Sequence, residues 1–309
     1  MAYSHEFGVV QYFMPYPSHW KKILGNIRFT KKNQSVINHV TGDIHYAVLG
    51  INRRNINILT IHDCVTLRRY SKKSLRFRVL KWLWYDLPAR KADAITVISE
   101  NTKKELLHFT KCDPAKIRVI PNFVDPAFHS SPALFNAERP RILFIGSTPN
   151  KNLQRLAEAL EGIEVLLDIV GNISSEQAGV LERHFIQYQQ TSGLSKELLI
   201  EKYIQCDLLA FPSMYEGFGL PIIEAQAIGR PVLTSNIAPM CDVCGKGGEL
   251  VDPYNVSSIR QGIINILKNK PHREQMVEEG YKNVQRFRLG EVTNQYVSLY
   301  REMIERKLN

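Results

Sequence analysis

The chain has 309 residues, 44% of them hydrophobic and 23% charged, which is the composition of a globular protein with room for two domains of about 150 residues. No run of about 18 apolar residues occurs, which argues against a transmembrane helix, and the five scattered cysteines argue against a disulfide framework. The formal net charge of +10 is uneven: residues 1–135 hold 21 Lys/Arg against 9 Asp/Glu, and the remainder 19 against 21. The first part therefore suits an anionic partner, and the second carries no such bias.

The opening stretch MAYSHEFGVVQYFM lacks the basic and apolar regions of a signal peptide, so a cytoplasmic location is expected. HVTGDIHYAVLGI (39–51) predicts a strand, a turn and a short helix, and INILTIHDC (56–64) a second strand. A basic, aromatic-rich helical segment follows. AITVIS then predicts a strand, SENTKKELLHFT a helix capped by Ser99 or Asn101, and IRVIPNFVD another strand. DPAFHSSPALFNAERP (125–140) is polar, proline-rich and aperiodic, as expected of an interdomain linker.

A second α/β series begins at RILFIGS, a strand, and continues with a helix over NKNLQRLAEALEG and a strand over VLLDIVG. SKELLIEKYIQC predicts a helix, DLLAFPS a strand, PIIEAQAIG a short helix and RPVLTSN a strand, with further helices over VSSIRQGIINILKN, 272–287 and 291–307. Strands alternating with helices argue for parallel, doubly wound sheets. The expected domains are 1–130, with the C-terminal helix of about 291–309 packing back on it, and 131–290.

The stretch PSMYEGFGLPIIEAQAIGRPV (212–232) carries the chemistry. It follows a strand, and in open parallel sheets ligands bind beyond the carboxyl ends of strands. Gly217 and Gly219 allow a sharp turn and close approach to a ligand. Pro221 suits a helix start and Gly229 a helix stop. The helix N-terminus offers N–H groups and a positive dipole end to a phosphate. Glu216 and Glu224 cannot serve that phosphate, but they can accept hydrogen bonds from hydroxyls: Glu216 from a sugar, Glu224 from a ribose. Taken singly, Glu224 also reads as an acid complementing the helix dipole and Glu216 as a solvated loop residue. Cys241 and Cys244 form a C-x-x-C with no second pair or nearby His, so ordinary thiols are expected and no metal site.

This stretch resembles the Glu-x7-Glu motif of retaining GT-B glycosyltransferases of family 4, the group 1 glycosyl transferases. FIGSTPNKNLQRLAEAL resembles that family's strand, glycine loop and Lys-Asn helix, VIPNFVD its run near the linker, and TVISENTKKEL and IHDCV its acceptor-domain strands. The resemblance covers roughly residues 40–300. It implies an α/β GT-B fold, two Rossmann-like domains facing each other across a cleft. It also implies transfer of a hexose-type sugar, with retention, from a UDP- or GDP-linked donor to a glycan or lipid-linked acceptor. Glu216, His62 and Lys151 are the implied catalytic residues. Gly146, Ser147, Lys151, Gly217, Phe218, Gly219, Leu220, Pro221 and Glu224 are the implied donor site. No Asp-x-Asp occurs, so no metal is expected, and Lys151 with the helix N-terminus would stabilise the leaving diphosphate.

The chain departs from the family in two places. Ser147, Thr148 and Asn150 fill the stretch before Lys151 where the family usually has an Arg, with Arg155 one helical turn on. About 40 residues precede the HVTGD segment without a glycine-rich loop, so an incomplete N-terminal domain is expected, completed by a protein partner in the alternative reading of the chain as a donor-binding subunit or inactive relative. Residues 68–91 hold nine Lys/Arg and one Asp, interleaved with Tyr70, Phe77, Trp82, Trp84 and Tyr85. That pattern suits the anionic inner face of a membrane, or else a solvated charged face with its aromatics in the core. No nucleic-acid motif accompanies the charge, so no nucleic-acid partner is expected.

Overall fold

Short runs of aliphatic and β-branched residues form most of the strands, and several central strands are buried along their whole length, as parallel sheets require. A computed structural model of the chain describes residues 7–17, 22–68 and 70–308. It divides into two compact units, Met1–Pro121 with Val292–Asn309, and Asn122–Glu291.

The first unit is built on a four-stranded parallel sheet in the order β1 (Ile37–Val40), β2 (Ile56–Ile61), β3 (Ala94–Val97), β4 (Ile117–Val119). All six residues of β2 and all four of β3 are buried. One face packs on Tyr46, Val48, Leu67, Trp84, Tyr85 and Leu106, among others. Against the other lie Val292, Leu299 and Met303 of the C-terminal helix Leu289–Leu308, touching Ile56, Ile58 and Ala94. Burying each aliphatic side chain stabilises by roughly 1.5–3 kcal/mol relative to exposure. A buried polar chain adds direction to that packing: His39 bonds Tyr300 through Nδ1 and Thr60 through Nε2, both at 2.7 Å, and Thr60 bonds Thr96. The helix Glu100–Phe109 starts at Ser99, whose Oγ accepts from the Thr102 N–H at 3.1 Å.

The second unit holds six parallel strands in the order β10-β9-β8-β5-β6-β7: β5 Arg141–Ile145, β6 Leu166–Val170, β7 Tyr188–Thr191, β8 Leu208–Phe211, β9 Val232–Ser235 and β10 Glu249–Val251. The sheet grows from β5 through β6 to β7 on one side, then restarts at β8 on the other. That is the doubly wound order, with its switch point between β5 and β8. Asp168 of β6, wholly buried, is paid for by Lys202 Nζ at 3.0 Å and by Arg141.

Several elements differ from the sequence-based expectation. The segment 125–140 is not a free linker, and the unit boundary lies at Pro121 rather than near 130. Val124 N bonds Phe287 O, Phe128 is buried edge-on against Tyr203, Ser131 N bonds Ile228 O and Asn136 N bonds the Asp207 carboxylate. Those contacts tie the segment to the second unit. β7, β10 and the helix Ser175–Arg183 were not anticipated. β7 reads YQQT and leaves every side chain partly exposed, so it carries no apolar alternation. Among the described residues no helix is long and apolar enough to cross a membrane.

Candidate functional site

At the switch point of the second unit, the loops after β5 and β8 lie side by side at the carboxyl ends of their strands. The β5 loop turns at Gly146, whose φ of +94° favours glycine. A Cβ there would lie 2.8 Å from Cε of Lys151, so the bare glycine also makes room for the lysine stem. After a 3-10 turn, Pro149–Lys151, the chain reaches Asn152, a non-glycine residue at φ +69°. Its side-chain amide donates to Pro212 O at 3.0 Å and Pro253 O at 2.7 Å, which ties the β5 loop to the loops after β8 and β10. Asn150 adds two more ties: its Nδ2 donates to Tyr215 O, and its carbonyl accepts from Met214 N. These bonds hold the left-handed residue in place.

The stitched loops bring Lys151 and Glu216 together, with Nζ 2.7 Å from Oε1. Lys151 Nζ also lies 4.6 Å from the centroid of the Phe211 ring, which flanks the ammonium with a π-face. The two side chains are 18% and 15% exposed, so the pair is mostly desolvated but open on one side. Ser147 sits in the same loop, with its carbonyl accepting from Gln177 Nε2. The Arg155 guanidinium turns back to this loop cluster, 3.0 Å from Asn152 Oδ1 and near the Tyr254 ring. It stands close to the site without filling the place ahead of Lys151.

Beyond Glu216 the chain passes Gly217 and Phe218 to Gly219, at φ +105°, and enters the helix Leu220–Ile228. Pro221 sits in its first turn, and Gly229 ends it at φ +90°. Two expectations need correction here. Phe218 is buried with its ring edge-on against Phe287, so only its backbone can serve a ligand. Glu224 lies past the first turn, and its Oε2 accepts a 2.6 Å hydrogen bond from the Tyr203 hydroxyl. Burial raises the Glu224 carboxyl above its usual range, and the Tyr203 bond works against that rise. Burial, followed by the Glu224 charge, raises the Tyr203 phenol. Tyr203 was missed because its helix, Lys196–Gln205, has no sequence link to Glu224; only the fold brings them together.

His62 lies in the first unit, at the carboxyl end of β2, on a cavity of about 280 Å3. Burial lowers its pKa, and Asp63 opposes that shift, so the ring favours the neutral form. Of the aromatics between 68 and 91, Phe77, Trp84 and Tyr85 belong to the core, while Trp82 is 54% exposed. Cys244 is buried, and burial pushes its thiol up to about 12, which makes it unreactive at neutral pH.

The sequence profile of the Glycosyl transferases group 1 family matches residues 127–283, and that of Glycosyltransferase Family 4 matches residues 8–128. The chain is 26% identical over 232 residues to the MMP alpha-(1->4)-mannosyltransferase of Mycolicibacterium hassiacum, covering 71% of this chain and 56% of that protein. The match spans 26% of the O-antigen chain mannosyltransferase B of Escherichia coli and 56% of the Mycolicibacterium protein, less than two thirds of either. Among solved structures, it superposes on the sucrose-phosphate synthase of Thermosynechococcus elongatus with a TM-score of 0.76 at 20% identity, over 94% of this chain and 81% of that one. It superposes on Anabaena Alr3699/HepE, crystallised with UDP and glucose, with a TM-score of 0.75 at 16% identity, over 91% and 81%. The fold is therefore α/β of the GT-B class.

Proposed function

The chain belongs to the Glycosyl transferases group 1 family, and on that premise we propose that it moves a hexose-type sugar from a UDP- or GDP-linked donor to a glycan or lipid-linked acceptor, with retention and without a metal ion. The observation that carries this reading is the Lys151–Glu216 pair, set between the Gly146 turn and the start of the helix Leu220–Ile228 at the switch point of a doubly wound sheet. That arrangement offers a cation and a helix N-terminus to a diphosphate, and a carboxylate to sugar hydroxyls. The mannosyltransferase activity of the Mycolicibacterium relative and the UDP and glucose bound to the Anabaena protein support a nucleotide-linked hexose.

In this reading the bond from the sugar C1 to the diphosphate oxygen breaks, and the electron pair leaves on the diphosphate. Lys151 and the N-terminus of the helix Leu220–Ile228, with the Gly219 and Leu220 N–H groups, stabilise that charge as it develops. The acceptor hydroxyl oxygen forms the new bond to C1 on the same face, through a transition state with oxocarbenium character, and its proton passes to the departing diphosphate oxygen. Glu216 accepts from the sugar hydroxyls. Glu224, oriented by Tyr203, accepts from the ribose. His62, neutral at physiological pH, serves by hydrogen bonding rather than by charge.

Calorimetric titration with UDP, GDP, ADP and dTDP in the presence of EDTA tests the donor site. Preference for one diphosphate is expected. No binding of any of them sinks the reading. Binding without transfer by the purified chain would favour the second reading, a donor-binding subunit that needs a partner.

The membrane partner is part of the same proposal. Leu75, Val79 and Trp82 fall at i, i+4 and i+7 and are 74%, 50% and 54% exposed. They form an apolar stripe on the segment that begins with the helix Leu75–Leu80, while Lys72, Lys73, Arg76 and Arg78 lie exposed around it. An amphipathic surface of this kind favours an anionic lipid interface through both its apolar area and its charge.

A further inference from the structure

The amino ends of the first unit's sheet hold a pocket apart from the chemistry. The helix Leu87–Lys91 runs into β3, and the 3-10 turn Pro114–Lys116 runs into β4. Between these two entries lies a cavity of about 410 Å3. His62 stands at the opposite end of the same parallel sheet, where β2 finishes. Reacting ligands bind beyond the carboxyl ends of such strands, so a pocket at the amino ends takes a different ligand.

Four cationic side chains line it, Lys81, Arg90, Lys111 and Lys116, against two carboxylates, Asp86 and Asp113. The six are not equivalent. Lys81 Nζ pairs with Asp86 Oδ2, so those two charges cancel. Lys116 Nζ donates to Ala92 O at 2.8 Å and to Arg90 O at 3.4 Å, both at the end of the helix Leu87–Lys91. The two carbonyls tether the ammonium without neutralising it and leave its third hydrogen for a ligand. Asp113 Oδ1 accepts from Ala115 N at 2.9 Å, which turns that carboxylate toward its own backbone. Among the described residues the Arg90 guanidinium and the Lys111 ammonium have no hydrogen-bond or ion-pair partner, and both residues are exposed.

Three uncancelled cations therefore face one carboxylate, a net of +2. A phosphate monoester matches that charge, since it carries about −1.5 to −2 at neutral pH and offers three strong acceptor oxygens. A guanidinium grips phosphate with two parallel bonds, and an ammonium meets it as a point charge. A neutral sugar would leave Arg90 and Lys111 without a countercharge. The cavity has room for the phosphate and a small group esterified to it.

We propose that this pocket binds a phosphate monoester, with Arg90, Lys111 and Lys116 donating to its oxygens. Two sources carry that group: a soluble phosphorylated metabolite and the headgroup of an anionic lipid. The helical run that supplies Lys81 and Arg90 also exposes Leu75, Val79 and Trp82, so a lipid would meet a charged pocket and an apolar stripe on one segment. The phosphate assignment rests neither on the transfer reaction nor on the membrane reading; only the lipid source rests on the latter.

Calorimetric titration of the full chain with glycerol 3-phosphate tests it, with glycerol as the uncharged control. Glycerol 3-phosphate is expected to bind and glycerol is not. Arg90→Ser with Lys111→Ser should weaken that binding at least tenfold, and the fold should be kept because both positions are exposed. Lys151→Met, at the candidate donor site, should leave it unchanged. With ¹⁵N-labelled arginine, glycerol 3-phosphate should shift the Arg90 Nε resonance of the wild-type chain, a readout that needs no variant. No binding, an unmoved Arg90 resonance or intact affinity in the double variant would each overturn the assignment. Loss of binding in Lys151→Met would overturn it too, by placing the phosphate in the second unit. Vesicles separate the two sources. Tighter binding to phosphatidic acid than to phosphatidylglycerol vesicles of equal surface charge, reversed by glycerol 3-phosphate, identifies a lipid headgroup. Glycerol 3-phosphate binding with no such preference identifies a soluble metabolite. Loss of nucleoside diphosphate binding with glycerol 3-phosphate binding retained would instead strike the donor-site reading and leave this pocket standing.

Discussion

Lys151 and Glu216 are each other's partner, 2.7 Å apart on loops that follow different strands. The cation assigned to the donor diphosphate and the carboxylate assigned to the donor sugar thus meet at one point. Lys151→Met is expected to weaken nucleoside diphosphate binding tenfold or more, since hydrogen bonds to charged groups contribute about 1.5–3 kcal/mol. Glu216→Gln should do the reverse for the diphosphate, leaving its affinity intact or higher, while transfer falls by orders of magnitude. Calorimetry and turnover assays on the two variants check this. Equal losses of diphosphate affinity in both would refute the division of roles.

Asn152 combines a left-handed backbone with two side-chain bonds to other loops. Asn152→Gly keeps the backbone freedom and loses the bonds, at a cost of about 2 kcal/mol. Asn152→Ala loses the bonds and adds a left-handed penalty of about 1–2 kcal/mol, so it should be the less stable of the two. Urea unfolding ranks them. Both should also loosen nucleotide binding, because Asn152 fixes the loop that carries Lys151.

The Glu224–Tyr203 pair predicts a pH dependence with a definite sign. Burial raises the Glu224 carboxyl, so the folded protein holds this proton more tightly than the unfolded chain. Stability then falls as pH rises from the ordinary glutamate range through the raised folded value. Glu224→Gln should flatten that part of the profile. Tyr203→Phe removes the hydrogen bond that opposes the shift, and should carry the decline to higher pH. Denaturant unfolding across a pH series would show both. An unchanged slope in Glu224→Gln would mean that another group sets it.

The apolar stripe gives a surface prediction. Leu75→Asp with Trp82→Asp should lower binding to phosphatidylglycerol vesicles at least tenfold, because burying each such side chain contributes about 1.5–3 kcal/mol. Stability should change by no more than about 0.5 kcal/mol, as for other exposed positions. Co-sedimentation with anionic and zwitterionic vesicles tests it. Equal binding of variant and wild type would leave the stripe without a lipid role.

Strands β2, β3, β5, β6, β8 and β9 were legible because buried parallel strands appear as apolar runs, and INILTI and DLLAF are such runs. Ser99 was legible as a cap because a serine ahead of an amphipathic helix has a local job. The glycine turn at 217–219 and the helix after it were legible for the same reason: turn and cap chemistry acts within a few residues. β7 was not, since an edge strand half open to solvent needs no apolar pattern. The segment 125–140 was misread because composition reports exposure but not the backbone bonds that dock a polar loop.

The sequence by itself determined the two α/β series, the glycine turns, the helix start at residues 219–221 and the residue types available at the site, all of which depend on local conformational preference and burial. Only the tertiary structure decided that Lys151 would pair with Glu216, that Tyr203 would bond Glu224 and that Phe218 would join the core. The two pairs lie 65 and 21 positions apart in the chain, and the third relationship concerns one side chain's burial. They are set by strand order and packing across the sheet, which no local pattern encodes.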